Sequence, residues 1–238
     1  MPAEPPGISI WLRPERAAVG RPAQHTRAEI TAAALALADA EGLDAVSMRR
    51  VAAELGTGAA SLYRYVETRD DLLDLMTDAV GSEYVLPEPD GDWLAGLVAV
   101  AEQSRAILRR HPWLTGLAIT RPVLGPNGVA LLEHVLAVLA GHPADLPTKL
   151  EAFAMLNGIA ALFVQHEQAG GSALQQRHTA YLQHAVASGA RPRLAELLSQ
   201  AVGPTAGQAS EQAGNSDPAD RFSDILARIL TGLLGQPG

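Results

Sequence analysis

Apolar residues recur at spacings of three and four along most of the chain, and the stripes break at proline, glycine and capping residues. That period belongs to α-helices, and no segment alternates as a strand would, so the sequence predicts an all-α protein. The first stripe opens at Thr26, where Thr26-x-x-Glu29 has the form of a capping box; Ile30, Ala33, Ala34, Leu37 and Ala38 share one face and Gly42 ends it. Ser47 is placed to cap a second helix with Met48, Val51, Ala52 and Leu55 inward, and Gly56 supplies the permissive backbone that closes it. A third, very short helix is expected from Gly58 to about Tyr65, with Leu62 and Val66 inward. Thr68-x-x-Asp71 then caps a fourth, which carries Leu72, Leu75, Met76, Ala79 and Val80. The second and third helices together make a helix-turn-helix over about 48–67.

Beyond Pro87 the stripes lengthen, to about 92–110, 112–118, 127–140, 148–169 and 172–188, with Thr148-x-x-Glu151 and Ser172-x-x-Gln175 as further capping boxes. A last helix is announced by Asp217 before Pro218. Its residues Phe222, Ile225, Leu226, Ile229, Leu230, Leu233 and Leu234 form a stripe too wide to be left in water, so something must cover it. Residues 1–24 hold five prolines and no sustained period and read as a flexible arm, while 199–217 read as a disordered, low-complexity loop. The expected division is therefore arm 1–24, a helix-turn-helix domain over 25–85 and a larger helical domain over 86–238.

Composition narrows the function classes. A chain of 238 residues with 47% hydrophobic content can bury a substantial core. It has no cysteine, which removes disulfides, thiolate catalysis and Cys-based zinc sites. No stretch reaches about 18 apolar residues and none has the form of a signal peptide, so a cytoplasmic protein that does not enter membranes is expected. Gly56–Ser61 has the spacing of a glycine-rich nucleotide loop but lacks a preceding strand. No other catalytic motif is present, so no enzyme is expected. Six of the seven histidines lie beyond residue 110 (His111, His134, His142, His166, His178, His184), without metal-binding spacing, and neither a metal nor a cofactor is predicted.

Charge is sorted along the chain. The formal net charge is -8, yet between residues 45 and 69 four arginines stand against Glu54 and Glu67. An acidic protein with one basic helix-turn-helix suits DNA approached from that face alone.

The run "RRVAAELGTGAASLYRYVETRDDLLDLM" from Arg49 to Met76 carries a more specific signal. Through it, residues 26–85 resemble the N-terminal domain of the tetracycline-repressor (TetR) family of bacterial transcription regulators. The later segments "RRHPWL", "TRPVLGPN" and "RFSDILARILTGL" resemble the subgroup that shares the tetracycline repressor's own C-terminal domain. The resemblance implies a DNA-binding repressor that a small-molecule effector releases from a pseudo-palindromic double-stranded operator. It also implies a homodimer held by a four-helix bundle, here helices at about 148–169 and 218–235. Carried over by position, Arg49, Tyr63 and Arg69 would bind phosphates, while Thr57, Gly58, Ala59, Ala60, Ser61 and Arg64 would face the bases, Arg64 as the guanine reader. Tyr65 either joins that face or packs against helix one.

In the effector domain the resemblance departs from the metal-tetracycline pattern. The family's ligand positions fall at Ser82, Val100, Leu117 and near Gln165, so no metal-tetracycline complex is expected. What remains is an interior lined by Val100, Ile107, Leu117, Leu131, Val135 and Phe163, with Ser82, Ser104, Asn157 and Gln165 as polar handles, suited to a small, mainly apolar effector. The alternative is a DNA-binding dimer with no small-molecule effector, governed by a partner or acting architecturally.

Overall fold

The computed structural model describes residues 9–13, 25–121, 125–169, 173–187, 189–202 and 218–235. Every regular element among them is a helix. The first four are α1 (Arg27–Glu41), α2 (Met48–Glu54), α3 (Ala59–Leu62) and α4 (Arg69–Gly81). Their starts are fixed by local chemistry. Thr26 and Glu29, and again Thr68 and Asp71, exchange side-chain and backbone hydrogen bonds in complete capping boxes, and Ser47 accepts from the Arg50 N–H. Gly56 takes φ +64°, which an L-residue rarely adopts, and so turns the chain from α2 into α3. Beyond α3 the Leu62 carbonyl accepts from both Tyr65 and Val66 N–H groups, at 2.9 and 3.0 Å, so hydrogen-bonded turns continue to Val66. The stripes Ile30, Ala34 and Leu37, Val51 and Ala52, and Leu72 and Met76 meet in one core that also takes in Leu62, Tyr65 and Val66.

Among the described residues seven further helices follow: α5 (Trp93–Arg110), α6 (Leu114–Thr120), α7 (Pro126–Val138), α8 (Leu146–Ala169), α9 (Ala173–Ala187), α10 (Pro192–Val202) and α11 (Pro218–Leu234). Helices α5, α6 and α11 pack on α8, α11 also packs on α5, and α7 bridges α4 to α5. Leu97 and Ala101 of α5, Leu156, Ala160 and Val164 of α8, and Phe222, Leu226 and Leu230 of α11 are sealed in the common core. Arg105 enters that core with its charge answered. Its Nε donates to Glu167 at 3.0 Å and its guanidinium lies 5.0 Å from the Phe222 ring centre, which also meets Phe163 edge-on.

Three sequence expectations change. Thr148 does not cap α8; its N–H is instead donated to Asp145 Oδ1 at 3.0 Å, so the helix starts at Leu146 with Pro147 in the first turn, where a missing N–H costs nothing. Helix α10 was not foreseen, and its end overlaps the start of the expected loop 199–217. Leu194, Leu197, Leu198, Ala201 and Val202 do recur at spacings of three and four, so the signal was present but short, and it runs directly into the low-complexity segment. The arm is not structureless throughout: Ile10–Leu12 form a 3-10 turn with Ile10 sealed in the core. Arg27 Nη1 donates to the Ile10 and Arg13 carbonyls, and Arg13 pairs with Glu67 at 2.7 Å and with Asp71. Two apolar side chains among prolines have no period to betray them. The rest of the arm, the loop from 203 to 217, and the caps expected at Ser172 and Asp217 lie outside the described residues.

Candidate functional site

The helix-turn-helix presents a compact outer face. Gly58, Ala60, Tyr63, Arg64 and Arg69 are exposed, Thr57, Ala59 and Ser61 half-buried, and Arg49 stands exposed on the second position of α2. Small side chains at the start of α3 leave its backbone free to approach a partner closely. Thr57 and Ser61 hydroxyls lie 2.8 Å apart and the Ser61 hydroxyl donates to the Gly58 carbonyl, which holds the turn in shape. Tyr65, which the sequence left between the base-facing side and helix one, is only 4% exposed. It packs into the core, and its carbonyl accepts from Arg27 Nε, so its side chain cannot reach a base.

Ion pairing separates the arginines into two groups. Arg13, Arg50, Arg105, Arg109, Arg110 and Arg121 each pair with a carboxylate, Arg50 through a bidentate contact with Glu41 at 2.6 and 2.7 Å. Arg49, Arg64 and Arg69 pair with none among the described residues, and neither do Arg177, Arg191, Arg193, Arg221 and Arg228 in the later helices and loops; the first three stand apart because they gather around one short helix. Arg64 and Arg69 make only long bonds of 3.5 Å to the Ser61 and Leu43 carbonyls. Their charges are available at the rim of α3, where phosphate would lie if the helix entered a major groove.

Helix α4 links this face to the rest of the molecule through three polar joints. At its start, Arg121 from the end of α6 reaches Asp70 Oδ1 and Asp74 Oδ1, both at 2.8 Å. Near its end, the buried Asp78 carboxylate accepts from Asn127 N–H at 3.3 Å, Asn127 Nδ2 at 3.1 Å and Gly128 N–H at 3.0 Å. It thereby caps α7, whose own N-cap residue is Gly125 and has no side chain to do so. The approach is tight: a Cβ at Gly125 would sit 2.5 Å from the Asp78 carboxylate and 2.6 Å from Trp11 Cζ2. After α4, Glu83 binds His111 Nε2 at 2.7 Å and also Arg110, while Asp39 of α1 takes His111 Nδ1 and Trp113 Nε1, each at 2.7 Å. Burial opposes a charge on His111, but its hydrogen bonds to Asp39 and Glu83, reinforced by their charges, outweigh it and hold the imidazole above its usual pKa.

Behind α4 lies a cavity of about 530 Å³ bounded by α4 to α8. Its wall is mainly apolar, with Ile107, Leu108, Leu114, Leu131, Leu132 and Phe153 among the lining residues. Four of the positions expected there are present: Ser104, Ile107, Leu131 and Asn157. The others are elsewhere. Val100 and Val135 are sealed in the core, Leu117 packs against that core, Phe163 stacks on Phe222, and Ser82 and Gln165 are exposed, with the Ser82 hydroxyl turned onto the Ala79 carbonyl. The positions matched to the metal-tetracycline ligands thus do not converge, and Ser, Val, Leu and Gln offer neither imidazole nor carboxylate; these residues do not fit such a complex.

The polar groups of the cavity were only partly foreseen. The Tyr84 hydroxyl donates to Ser104 Oγ at 2.8 Å, and Ser104 passes its proton to the Val100 carbonyl at 3.0 Å. Burial, only partly offset by the Ser104 contact, raises the Tyr84 pKa, so the phenol stays neutral at ordinary pH. Asn157 spends one amide hydrogen on the Phe153 carbonyl at 3.0 Å. Arg121, Asp78, Tyr84 and Phe153 were missed because each comes to the cavity through contacts between helices, which no local period records.

Comparisons with known proteins agree on one family. The family model described as bacterial regulatory proteins, tetR family, matches residues 30–76, and that of the tetracyclin repressor-like C-terminal domain matches residues 86–236. The HTH-type transcriptional repressor DrrR1 of Streptomyces coeruleorubidus is 37% identical over 236 residues, 94% of this chain and 83% of the relative. The structure is similar to that of the TetR family protein ActR from Streptomyces coelicolor in complex with (S)-DNPA, with TM-score 0.72, 33% identity, and 90% and 99% of the two chains covered. For ActR in complex with actinorhodin the TM-score is 0.71 at 32% identity, with 88% and 97% covered. With both halves of the chain matched and its helix-turn-helix intact, the protein belongs to the TetR family of bacterial transcriptional repressors, which are regulators and not enzymes.

Proposed function

We propose that the protein is a homodimeric repressor that binds a pseudo-palindromic operator through α3 and its arginine rim and leaves it when a small, mainly apolar molecule fills the cavity behind α4. The observation that carries this reading is the clustering of charge: Arg49, Arg64 and Arg69 stand exposed around α3 and, among the described residues, without ion pairs, on a chain with a net charge of -8. Arg49 and Arg69, with the Tyr63 hydroxyl, are assigned to phosphates. Thr57, Gly58, Ala59, Ala60, Ser61 and Arg64 are assigned to the base edges, Arg64 to a guanine. A cavity of about 530 Å³ supports effector control over regulation by a partner alone, and the complexes of ActR with (S)-DNPA and actinorhodin support a pocket of this kind. For the dimer, α8 shows Met155, Ile159 and Leu162 along one side and α11 shows Ile225 and Ile229, an apolar surface that a second copy would cover.

The test is binding of the purified protein to the DNA upstream of its own gene, followed by fluorescence anisotropy against salt. Tight binding at a footprinted two-fold site is expected. Arg49→Ala should weaken all sequences alike and lower the salt slope of the dimer by about two, one contact in each half-site, whereas Arg64→Ala should lose about 1–3 kcal/mol of discrimination at one base pair in each half-site. Weak binding, equal on operator and unrelated DNA, would overturn the reading.

A further inference from the structure

The cavity is electrostatically lopsided. Of its lining residues only Asp78 and Arg121 carry charge, and they differ in what they can offer. Both Asp78 oxygens are taken by the N-terminus of α7. Arg121 is also paired, but its side chain remains 31% exposed and its two carboxylates differ: Asp70 is 72% exposed, while Asp74, 29% exposed, takes Nε at 3.0 Å and Nη2 at 2.8 Å. An exposed carboxylate exchanges a guanidinium for water at little cost, because an ion pair in water is worth little. An anion brought in on an apolar body would meet the same guanidinium from the drier side, where the interaction is stronger. The remaining polar side chains, Thr77, Tyr84, Ser104 and Asn157, are neutral, so beside the occupied Asp78 carboxylate the cavity has one positive pole, at the end of α6.

We propose that the effector of this cavity has an apolar body and one anionic group, and that this group takes the Arg121 guanidinium from Asp70 and Asp74. This rests on the effector reading above and gives it a chemistry. Asp70 follows Arg69 directly, at the first turn of α4. When the anion captures Arg121, the tie from α6 to that turn is cut, and the turn that sets Arg69 beside the DNA is freed. A neutral molecule of the same shape would fill the cavity without cutting the tie.

Two fluorescent probes share one ring system and differ in charge: 8-anilinonaphthalene-1-sulfonate and the neutral N-phenyl-1-naphthylamine. Their dissociation constants are measured on the full chain as wild type, Arg121→Gln, Arg121→Lys, and the double variant Asp70→Asn with Asp74→Asn. The wild type should bind the sulfonate at least about tenfold more tightly than the neutral amine. Arg121→Gln should erase that preference while leaving the neutral probe within about twofold, and Arg121→Lys should keep much of it. The double variant should tighten the sulfonate and leave the amine unchanged, because the competing carboxylates are gone; a purely structural Arg121 would not produce that gain. Equal binding of the two probes by the wild type, or a preference that survives Arg121→Gln, overturns the assignment of charge. Leu131→Trp, which fills the cavity, separates the two levels: if both probes bind it as they bind the wild type, or if neither binds the wild type, the cavity reading itself fails and the inference with it.

Discussion

Asp78 caps a helix to which it does not belong. Its carboxylate stands in for the side chain that Gly125 lacks, and Gly125 must lack one because a Cβ would collide with both Asp78 and Trp11. Removing the carboxylate leaves the Asn127 and Gly128 N–H groups at the start of α7 without an acceptor. Loss of a cap costs about 1–2 kcal/mol and an unanswered buried donor about as much again, so Asp78→Ala should lower stability by about 2–3 kcal/mol. For a chain of this size that is a fall in Tm of about 5–10 °C, read by thermal melting, with Asp78→Asn falling less because its amide oxygen can still accept. A melt unchanged by Asp78→Ala would show that water caps α7 as well as Asp78 does. Tyr65 teaches the same lesson about single residues: its neighbours Arg64 and Val66 face opposite ways, and only the packing of α1 decides which side a tyrosine between them takes.

At the scale of elements, the joint of His111 with Asp39 and Glu83 ties α1, the end of α4 and the start of α6 together. Arg110 faces Glu83 from α5, and Trp113 donates to Asp39. The histidine is held above its ordinary pKa, so its contribution is complete below about pH 6.5, the unfolded value, and fades as pH rises through the raised folded-state value. His111→Gln should therefore cost most near pH 6 and progressively less toward pH 9, with the gap between the two melting curves as the measurement. A gap constant with pH would mean that the charge on His111 contributes nothing. The caps at Thr26, Ser47 and Thr68 were legible in the sequence because a cap and the residue whose N–H it accepts lie three positions apart. So was the lie of α1, α2 and α4, whose stripes are regular. The cavity was legible only in part. Periodicity marks Val100 and Val135 as inward, but whether an inward residue meets a neighbour or a gap depends on where helices cross, and that was not written in either stripe. Asp145 displaced Thr148 as the cap of α8 for a local reason: two candidate caps stood three residues apart, and Pro147 favoured the earlier one.

For the whole molecule the surface that matters is the apolar side of α8 and α11, where Met155 and Leu162 are 52% and 58% exposed in a single chain. Two copies joined there would set their two α3 helices at a fixed spacing, which a single copy cannot do. Leu162→Glu should give a folded monomer by sedimentation or light scattering, with operator affinity reduced about a hundredfold or more, since one half-site is then bound without the other. A variant that stays dimeric would place the interface elsewhere. Each predicted effect travels by the same route, for the surface of α3, the cavity and the joints of α4 are successive stations along one chain of packed helices.

The wedge of Trp11 against Gly125 has a bearing on how the protein is prepared. The 3-10 turn at Ile10–Leu12 fills the core with Ile10 and fastens Arg13 to Glu67 and Asp71, so it belongs to the α4 to α7 joint as much as Asp78 does. A recombinant form begun beyond residue 13, or one carrying a bulky tag fused close to residue 9, would be a different molecule at the joint between α4 and α7. Affinities measured on such a form would describe the shortened gene and not the repressor.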